Sequence, residues 1–190
     1  MYKGDEKSLL KLAASYGKEI YKIIKRCVEI DETKYAKGGE GPYSFDNGGL
    51  IWYVFNTNSG KDYFKKGTVK DHYDKLTEEV GQVDIRPTDI IFYSKASDNS
   101  EEPTRAGIYL GHNAYLGIAD NMVQILSFPD LRDNDNIKIH CIKRVVKFGG
   151  TNSEATIEGL AELPEGLGSG DFLNPLEGGD WTLTSKIGMR

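Results

Sequence analysis

The hydrophobic pattern of this chain changes once, from helical spacing to short alternating segments, and this change limits the folds open to it. Between Ser8 and Ile30, apolar residues recur at three- and four-residue steps, which predicts an amphipathic helix. Gly17 lies inside this segment, where a glycine costs about 1 kcal/mol, and favours its division into two helices. Alternating apolar segments later in the chain predict β-strands. These are Asp89–Tyr93, Ala106–Leu110, Ala114–Ile118, Met122–Leu126 and Ile137–Phe148. Helices followed by an antiparallel sheet indicate an α+β fold.

Two further helices are predicted between these regions. A glycine-rich loop, Tyr35–Phe45, leads to Asp46, whose carboxylate is suited to accept hydrogen bonds from the first amides of a helix. An apolar-periodic segment, Leu50–Phe55, follows it, and Val69–Val80 has the pattern of a short helix. Asn47 therefore lies at or beside a first helical turn, where the helix dipole has its positive end.

Charge and hydropathy restrict the partners of the chain. Its 190 residues are 38% hydrophobic and 28% charged, which is ordinary for a globular domain. The net charge of -5, with acids and bases mixed along the chain, argues against a nucleic-acid partner. No apolar run approaches the roughly 20 residues that span a bilayer. Met1–Glu6 is charged and no signal-peptide core follows it. We therefore expect no membrane span, and either another export route or a longer parent protein.

The cysteines and histidines do not form a recognisable reactive pattern. Cys27 lies in the first helical segment and Cys141 in the last strand, and we expect both to be buried free thiols. His140 precedes Cys141 on that strand, so their side chains should face opposite sides and a catalytic dyad is disfavoured. His72 and His112 have no partner at metal-ligand spacing. These residues predict no metal or other cofactor in this chain.

The segment Tyr35–Phe55 resembles the nucleophile region of NlpC-type peptidases, papain-like enzymes that cut peptidoglycan stem peptides. The family segment reads roughly Tyr-x-x-Gly-Gly, a spacer, and then Phe-Asp-Cys-Ser-Gly-Leu. The matching residues are Tyr35, Gly38, Gly39, Phe45, Asp46, Gly49 and Leu50. Pro87–Phe92, Ala106–Gly111 and Lys143–Val145 are similar to later strands of the family, in the same order. The resemblance implies a papain-like NlpC-type fold over residues 1–148, with N-terminal helices packed on a central antiparallel sheet.

The same resemblance aligns the three catalytic positions of the family with Asn47, Arg105 and Gly117. In active members a helix N-terminus and an imidazole lower the pKa of a cysteine thiol, and a third polar group orients the imidazole. An amide is not a nucleophile for this reaction, and a guanidinium, with a pKa above about 12, is no general base at neutral pH. Gly117 has no side chain to orient either group. The resemblance therefore implies a pseudo-peptidase with a degenerate triad.

Part of the family's substrate groove is retained. Tyr35 and Asp46 match positions that hold the free amino end of the substrate in active relatives, and Arg105 can pair with a ligand carboxylate. These three residues form the candidate ligand-binding set. Three alternatives stay open. Asp46 serves only as a helix cap, Tyr35 only packs against the glycine-rich loop, or Arg105 pairs with Asp46 and fills the groove.

The composition changes after Phe148. Residues 149–180 are rich in glycine and predict a linker or an extended arm. Residues 181–190, WTLTSKIGMR, resemble the start of lysostaphin-like zinc endopeptidase domains, although Ile187 stands where an aromatic residue is common. That resemblance implies a missing downstream domain that binds zinc. The alternative is a C-terminal strand that Trp181 anchors on the first domain.

Together these features predict a catalytically inactive peptidase-like module that binds peptidoglycan stem peptide or positions a downstream wall-degrading metallopeptidase. The expected setting is a phage tail lysin in the virion, or else the bacterial cell envelope. The alternative is a structural protein of a phage tail or secretion assembly, with a plugged groove and phage tail proteins as partners. A third possibility is residual activity from another set of residues. An occluded groove above Asn47 would exclude the ligand-binding version.

Overall fold

The computed structural model describes residues 5–57 and 61–146. Its first two helices, α1 (Glu6–Ser15) and α2 (Lys18–Glu29), are separated by Gly17. The φ angle of Gly17 is 108°, a value that few residues other than glycine adopt. The predicted division at this glycine is therefore confirmed. None of the described helices combines the length and the apolar character that crossing a bilayer requires.

Three more α-helices and seven strands follow in the described residues. The helices are α3 (Asn47–Asn56), α4 (Val69–Lys75) and α5 (Phe128–Arg132). The strands are β1 (Lys34–Tyr35), β2 (Ser44–Phe45), β3 (Ile90–Lys95), β4 (Arg105–Gly111), β5 (Ala114–Ala119), β6 (Met122–Ser127) and β7 (Ile137–Lys143). They form one sheet in the order β2-β1-β6-β5-β4-β3-β7, antiparallel except for the short β1–β2 pair. The predicted α+β fold is confirmed.

Side chains on the two faces of the sheet belong to two different apolar clusters, because successive residues of a strand point to opposite faces. Ile90 and Phe92 of β3 pack with the helices α1, α2 and α3 in the larger cluster. Ile91 and Tyr93, which alternate with them, belong to a smaller cluster that includes Phe128 of α5. The helices therefore cover one face, while α5 covers part of the other.

Two elements are shorter than the sequence predicts. The helix α4 ends at Lys75 and not at Val80, because Leu76 is already extended and Val80 donates its amide to Ile142 of β7. The strand β7 ends at Lys143 and not at Phe148. For α4, a tertiary contact thus ends the element before its sequence pattern does.

The short elements β1, β2 and α5 have no counterpart in the sequence prediction. Each of the two strands has only two residues, which is too short for an alternation to show. The helix α5 begins after Ser127, whose hydroxyl accepts a hydrogen bond from the amide of Asp130, and Pro129 lies in its first turn. These are ordinary helix-start signals, and they follow a strand without any loop between them.

A buried ion pair joins β3 to the end of β7. Asp89 is fully buried, and its two carboxylate oxygens accept hydrogen bonds from Nε and Nη2 of Arg144 at 3.0 and 2.9 Å. The amide of Arg86 donates to the same carboxylate at 2.8 Å. The carboxylate is therefore well satisfied although it lies out of water. Removing one member of such a pair leaves a buried charge without compensation.

We predict that Asp89→Ala lowers the free energy of unfolding by about 3–5 kcal/mol, because Arg144 would stay partly buried without its carboxylate. Urea unfolding followed by circular dichroism measures the change. Asp133→Ala is the control, since Asp133 pairs with Arg132 at an exposed site, and such a pair contributes about 0–1 kcal/mol. Equal losses in the two variants would contradict the prediction.

Candidate functional site

A cleft of about 690 Å³ lies beside the N-terminus of α3, and we call it the main cleft. Its walls come from the end of β1, the first residue of α3, the strands β3 to β6, and the segment around α5. The lining residues are Tyr35, Asn47, Tyr93, Lys95, Asp98, Thr104, Arg105, Tyr115, Ile118, Ala119, Asp120, Asn121, Leu126, Ser127, Asp130, Leu131, Asn134 and Ile137. Three residues singled out from the sequence, Tyr35, Asn47 and Arg105, therefore surround one cleft.

The N-terminus of α3 is held by Asp46. One carboxylate oxygen of Asp46 accepts a hydrogen bond from the amide of Gly49 at 2.7 Å, which is the predicted helix cap. The other oxygen accepts from the amide of Gly38 at 2.9 Å and so ties the glycine-rich loop to the helix. Asn47 is the first residue of α3, and its Oδ1 is buried without a hydrogen-bond partner in the described residues.

Two glycines let neighbouring backbone approach the first turn of α3. A Cβ atom at residue 48 would overlap the carbonyl oxygen of Gly67, and one at residue 49 would overlap that of Gly39. The carbonyl oxygen of Gly48 accepts a hydrogen bond from Nε2 of His72 at 3.0 Å. Because a carbonyl only accepts, the proton of the neutral ring is on Nε2. His72 of α4 thereby fixes the backbone next to Asn47.

Arg105 opens β4 on the side of the sheet that faces the main cleft. It pairs with Tyr93 of β3 in the sheet register. Its Nε is buried without a hydrogen-bond partner in the described residues. Within that same part of the chain, no ion pair joins Arg105 to Asp46, so the predicted alternative in which the two fill the groove is not seen.

The position of Gly117 on β5 is covered by an aromatic ring. A Cβ atom at residue 117 would lie 2.7 Å from Cε2 of Tyr115 and 3.5 Å from the hydroxyl of Tyr93. Gly107 on β4 faces the same ring, whose Cε2 would be 3.0 Å from its Cβ. The rings of Tyr93 and Tyr115 meet edge to face with centroids 6.5 Å apart. Burial raises the pKa of Tyr93 to about 12 and also raises the pKa of Tyr115, so both hydroxyls stay protonated at neutral pH.

The structure separates Asp46 from the other candidate ligand-binding residues. Tyr35, which is 37% exposed, lines the main cleft with Arg105. Asp46 lines a second cleft of about 320 Å³, which we call the small cleft. Lys66 and Trp52 lie there, with the ammonium 4.4 Å from the indole centroid. The three residues therefore do not share one binding surface.

The cysteines and histidines lie away from the main cleft, and none of the described lining residues is a Cys or a His. Cys27 is fully buried as predicted, but Cys141 is only half-buried, because it lies on the edge strand β7. Burial raises the pKa of Cys27, and it raises that of Cys141 to about 11, so neither thiol ionises at neutral pH. His140 bonds to the hydroxyl of Ser94 at 3.0 Å. Over residues 5–57 and 61–146, no three acidic, Cys or His side chains form a metal-binding group.

Two parts of the main cleft were not predicted from the sequence. One is its aromatic floor, which the rings of Tyr93 and Tyr115 form, and the other is the wall that α5 contributes. Tyr115 and Gly117 are two residues apart on a predicted strand, so their shared face was readable from the alternation. Tyr93 lies beside Tyr115 and Gly117 because of the register between β3 and β4, and the sequence alone does not give this register. The wall around Leu131 depends on α5, which was not predicted.

Comparisons with known proteins agree with this geometry. The family model described as "NlpC/P60 family" matches residues 32–134. The Gamma-DL-glutamyl hydrolase of Bacillus subtilis (strain 168) is 37% identical over 90 residues, which are 47% of this chain and 21% of that protein. This chain thus spans about a fifth of the length of the hydrolase.

Solved structures give the same fold. NlpC2 from Trichomonas vaginalis superposes with a TM-score of 0.57 and 21% identity, over 67% of this chain and 46% of that one. RipD from Mycobacterium tuberculosis, described as a non-catalytic NlpC/p60 domain protein adapted to peptidoglycan binding, has a TM-score of 0.54 and 20% identity. That match covers 67% of this chain and 98% of RipD. At such identities the two structures establish the fold alone.

We predict that Gly117→Ala lowers the free energy of unfolding by about 1–3 kcal/mol, because the new methyl group overpacks against the ring of Tyr115. The loss should shrink in a Tyr115→Leu background, where the ring is absent. Thermal and urea unfolding of the single and double variants measure both effects. Gly81→Ala is the control and should be neutral or slightly stabilising, since its Cβ would meet only Asp84 at 3.6 Å. A neutral Gly117→Ala would contradict the packing described.

We predict that His72 makes stability depend on pH. Burial lowers the pKa of His72 below its ordinary value, so the unfolded chain takes up the proton first, near pH 6.5. The contribution of His72 to the free energy of unfolding is therefore complete above about pH 6.5. As the pH is lowered further, the free energy of unfolding falls by up to about 1.4 kcal/mol per pH unit. Urea unfolding at pH 7.5, 6.5 and 5.5 tests this. His72→Gln should flatten the dependence and His112→Gln, at an exposed turn, should not. An unchanged slope in His72→Gln would refute the assignment.

Proposed function

This chain belongs to the NlpC/P60 family, and from that premise we propose that it is a non-catalytic member that binds peptidoglycan stem peptide in the main cleft. The observation that carries the proposal is the set of side chains at the family's catalytic positions. Asn47, Arg105 and Gly117 stand where the resemblance places the nucleophile, the imidazole and the orienting group. The first two line a cleft of about 690 Å³, a volume within the range of small-ligand sites.

The chemistry of the main cleft supports binding without cleavage. The amide of Asn47 does not attack a peptide carbonyl, and a guanidinium such as that of Arg105 is not a general base for this reaction. The described lining residues include neither a thiol nor an imidazole to replace them. At residue 117, a side chain able to orient a base would meet the ring of Tyr115. Donors and acceptors for a peptide remain, among them Asn47, Arg105 and the hydroxyl groups of the wall.

Two relatives indicate the class of ligand. RipD is described as a non-catalytic domain adapted to peptidoglycan binding, so loss of catalysis with retained binding has a precedent within this fold. The Bacillus subtilis relative is named for hydrolysis of γ-glutamyl bonds. We accordingly propose that the bound segment of the stem peptide contains a γ-linked glutamyl residue. Tyr35 at the rim of the cleft would contact the peptide beside it.

The remaining sequence-based predictions extend this proposal. The linker at residues 149–180 and the zinc endopeptidase start at residues 181–190 lie outside the described residues. If these two predictions are correct, the binding module would position a downstream metallopeptidase on the bacterial cell wall. Zinc would then be bound by that downstream domain. A phage tail lysin, or an enzyme of the bacterial cell envelope, is the setting we propose for such an arrangement.

We predict that the chain binds soluble peptidoglycan fragments and leaves them intact. Isothermal titration calorimetry measures the affinity, and mass spectrometry of the same samples detects any cleavage product. Tyr35→Ala should weaken binding about fivefold or more, because it removes an aromatic contact at the cleft.

Tyr43→Ala is the matched control, since Tyr43 lies in the same glycine-rich loop, is 88% exposed and does not line the main cleft. Its affinity should equal that of the wild type. Cleavage of the fragments would refute the non-catalytic assignment. Absence of both binding and cleavage would refute the ligand and favour a structural role in an assembly.

A further inference from the structure

Resting on the proposed function, we propose that Arg105 gives the main cleft a carboxylate-binding subsite. This subsite would accept the free α-carboxylate of the γ-linked glutamyl residue in the bound peptide. The residue that replaces the imidazole of active relatives would then be a specificity determinant, which distinguishes an ionised glutamyl residue from an amidated one.

The guanidinium of Arg105 has an unused hydrogen-bonding edge. Its Nε is buried and has no hydrogen-bond partner in the described residues. Because Nε is shut off from solvent, a ligand would meet the two terminal nitrogens, which form the end-on edge that binds a carboxylate through two parallel hydrogen bonds.

Two acidic residues of the main cleft do not neutralise Arg105 by direct pairing. A hydrogen bond from the hydroxyl of Thr104 at 2.8 Å is the main cause of the lowered pKa of Asp98, whose Oδ2 also accepts from the amide of Lys95 at 3.3 Å, and Arg105 contributes less. In the described residues no ion pair links Arg105 to Asp98 or Asp120.

The form of the proposed ligand suits such an edge. A γ-linked glutamyl residue is joined to the next residue through its side chain, which leaves its α-carboxylate free to meet Arg105. Asn47 lines the same cleft as Arg105.

Two synthetic tripeptides that differ in one group test the subsite. The first is L-alanyl-γ-D-glutamyl-L-lysine amide, and the second is the same molecule with the glutamyl α-carboxylate converted to an amide. We expect the full chain to bind the ionised tripeptide about tenfold more tightly in calorimetric titrations, as for a charge-assisted bidentate contact. Arg105→Gln should bind both tripeptides with equal affinity.

Two further variants separate the subsite from general effects of charge and folding. Arg132→Gln removes the same charge from an exposed site and should keep the tenfold preference. Arg105→Lys keeps the charge without the fork geometry and should retain only part of it. Equal binding of both tripeptides by the wild type, or a full preference in folded Arg105→Gln, would overturn the subsite while the binding function stands. Absence of binding to either tripeptide would overturn the proposed function itself.

Discussion

The hydrogen bonds of Asp46 are the constraint on which the arrangement of the site depends. This one carboxylate caps α3 through the amide of Gly49 and holds the glycine-rich loop through the amide of Gly38. The close approach of the Gly39 and Gly67 backbones to the first turn of α3 is possible only because residues 48 and 49 carry no side chain. These contacts place Asn47 at the edge of the main cleft.

The rings of Tyr93 and Tyr115 form the floor of the main cleft and connect the positions of Arg105 and Gly117. The ring of Tyr115 lies against Gly107 and Gly117, so it occupies the space that a third polar side chain would need. Tyr93 meets that ring at its edge and is the strand partner of Arg105. Under the proposed function, a cysteine and a histidine alone would not complete a catalytic triad here, because a polar side chain at residue 117 would also require repacking of this sheet face.

Much of the fold was predictable, because residue spacing reports directly on helices, on strand alternation and on the break at Gly17. The clustering of Tyr35, Asn47 and Arg105 around one cleft follows from the family resemblance. The roles of Asp46 and Tyr115 were not predictable to the same degree. Whether a capping carboxylate faces the main cleft or the small cleft depends on which loop it binds, and the contact of Tyr115 with Gly107 depends on strand register. The helix α5 was missed because it follows β6 without a loop.

The most direct test of the central claim is to map the bound peptide by NMR. Labelled protein would be titrated with the tripeptide L-alanyl-γ-D-glutamyl-L-lysine amide, while the peptide signals are followed for hours. The account predicts shifts at Asn47, Tyr93, Arg105 and Tyr115, with the peptide unchanged at the end. Shifts confined to Trp52 and Lys66 of the small cleft, or the appearance of cleaved peptide, would contradict it.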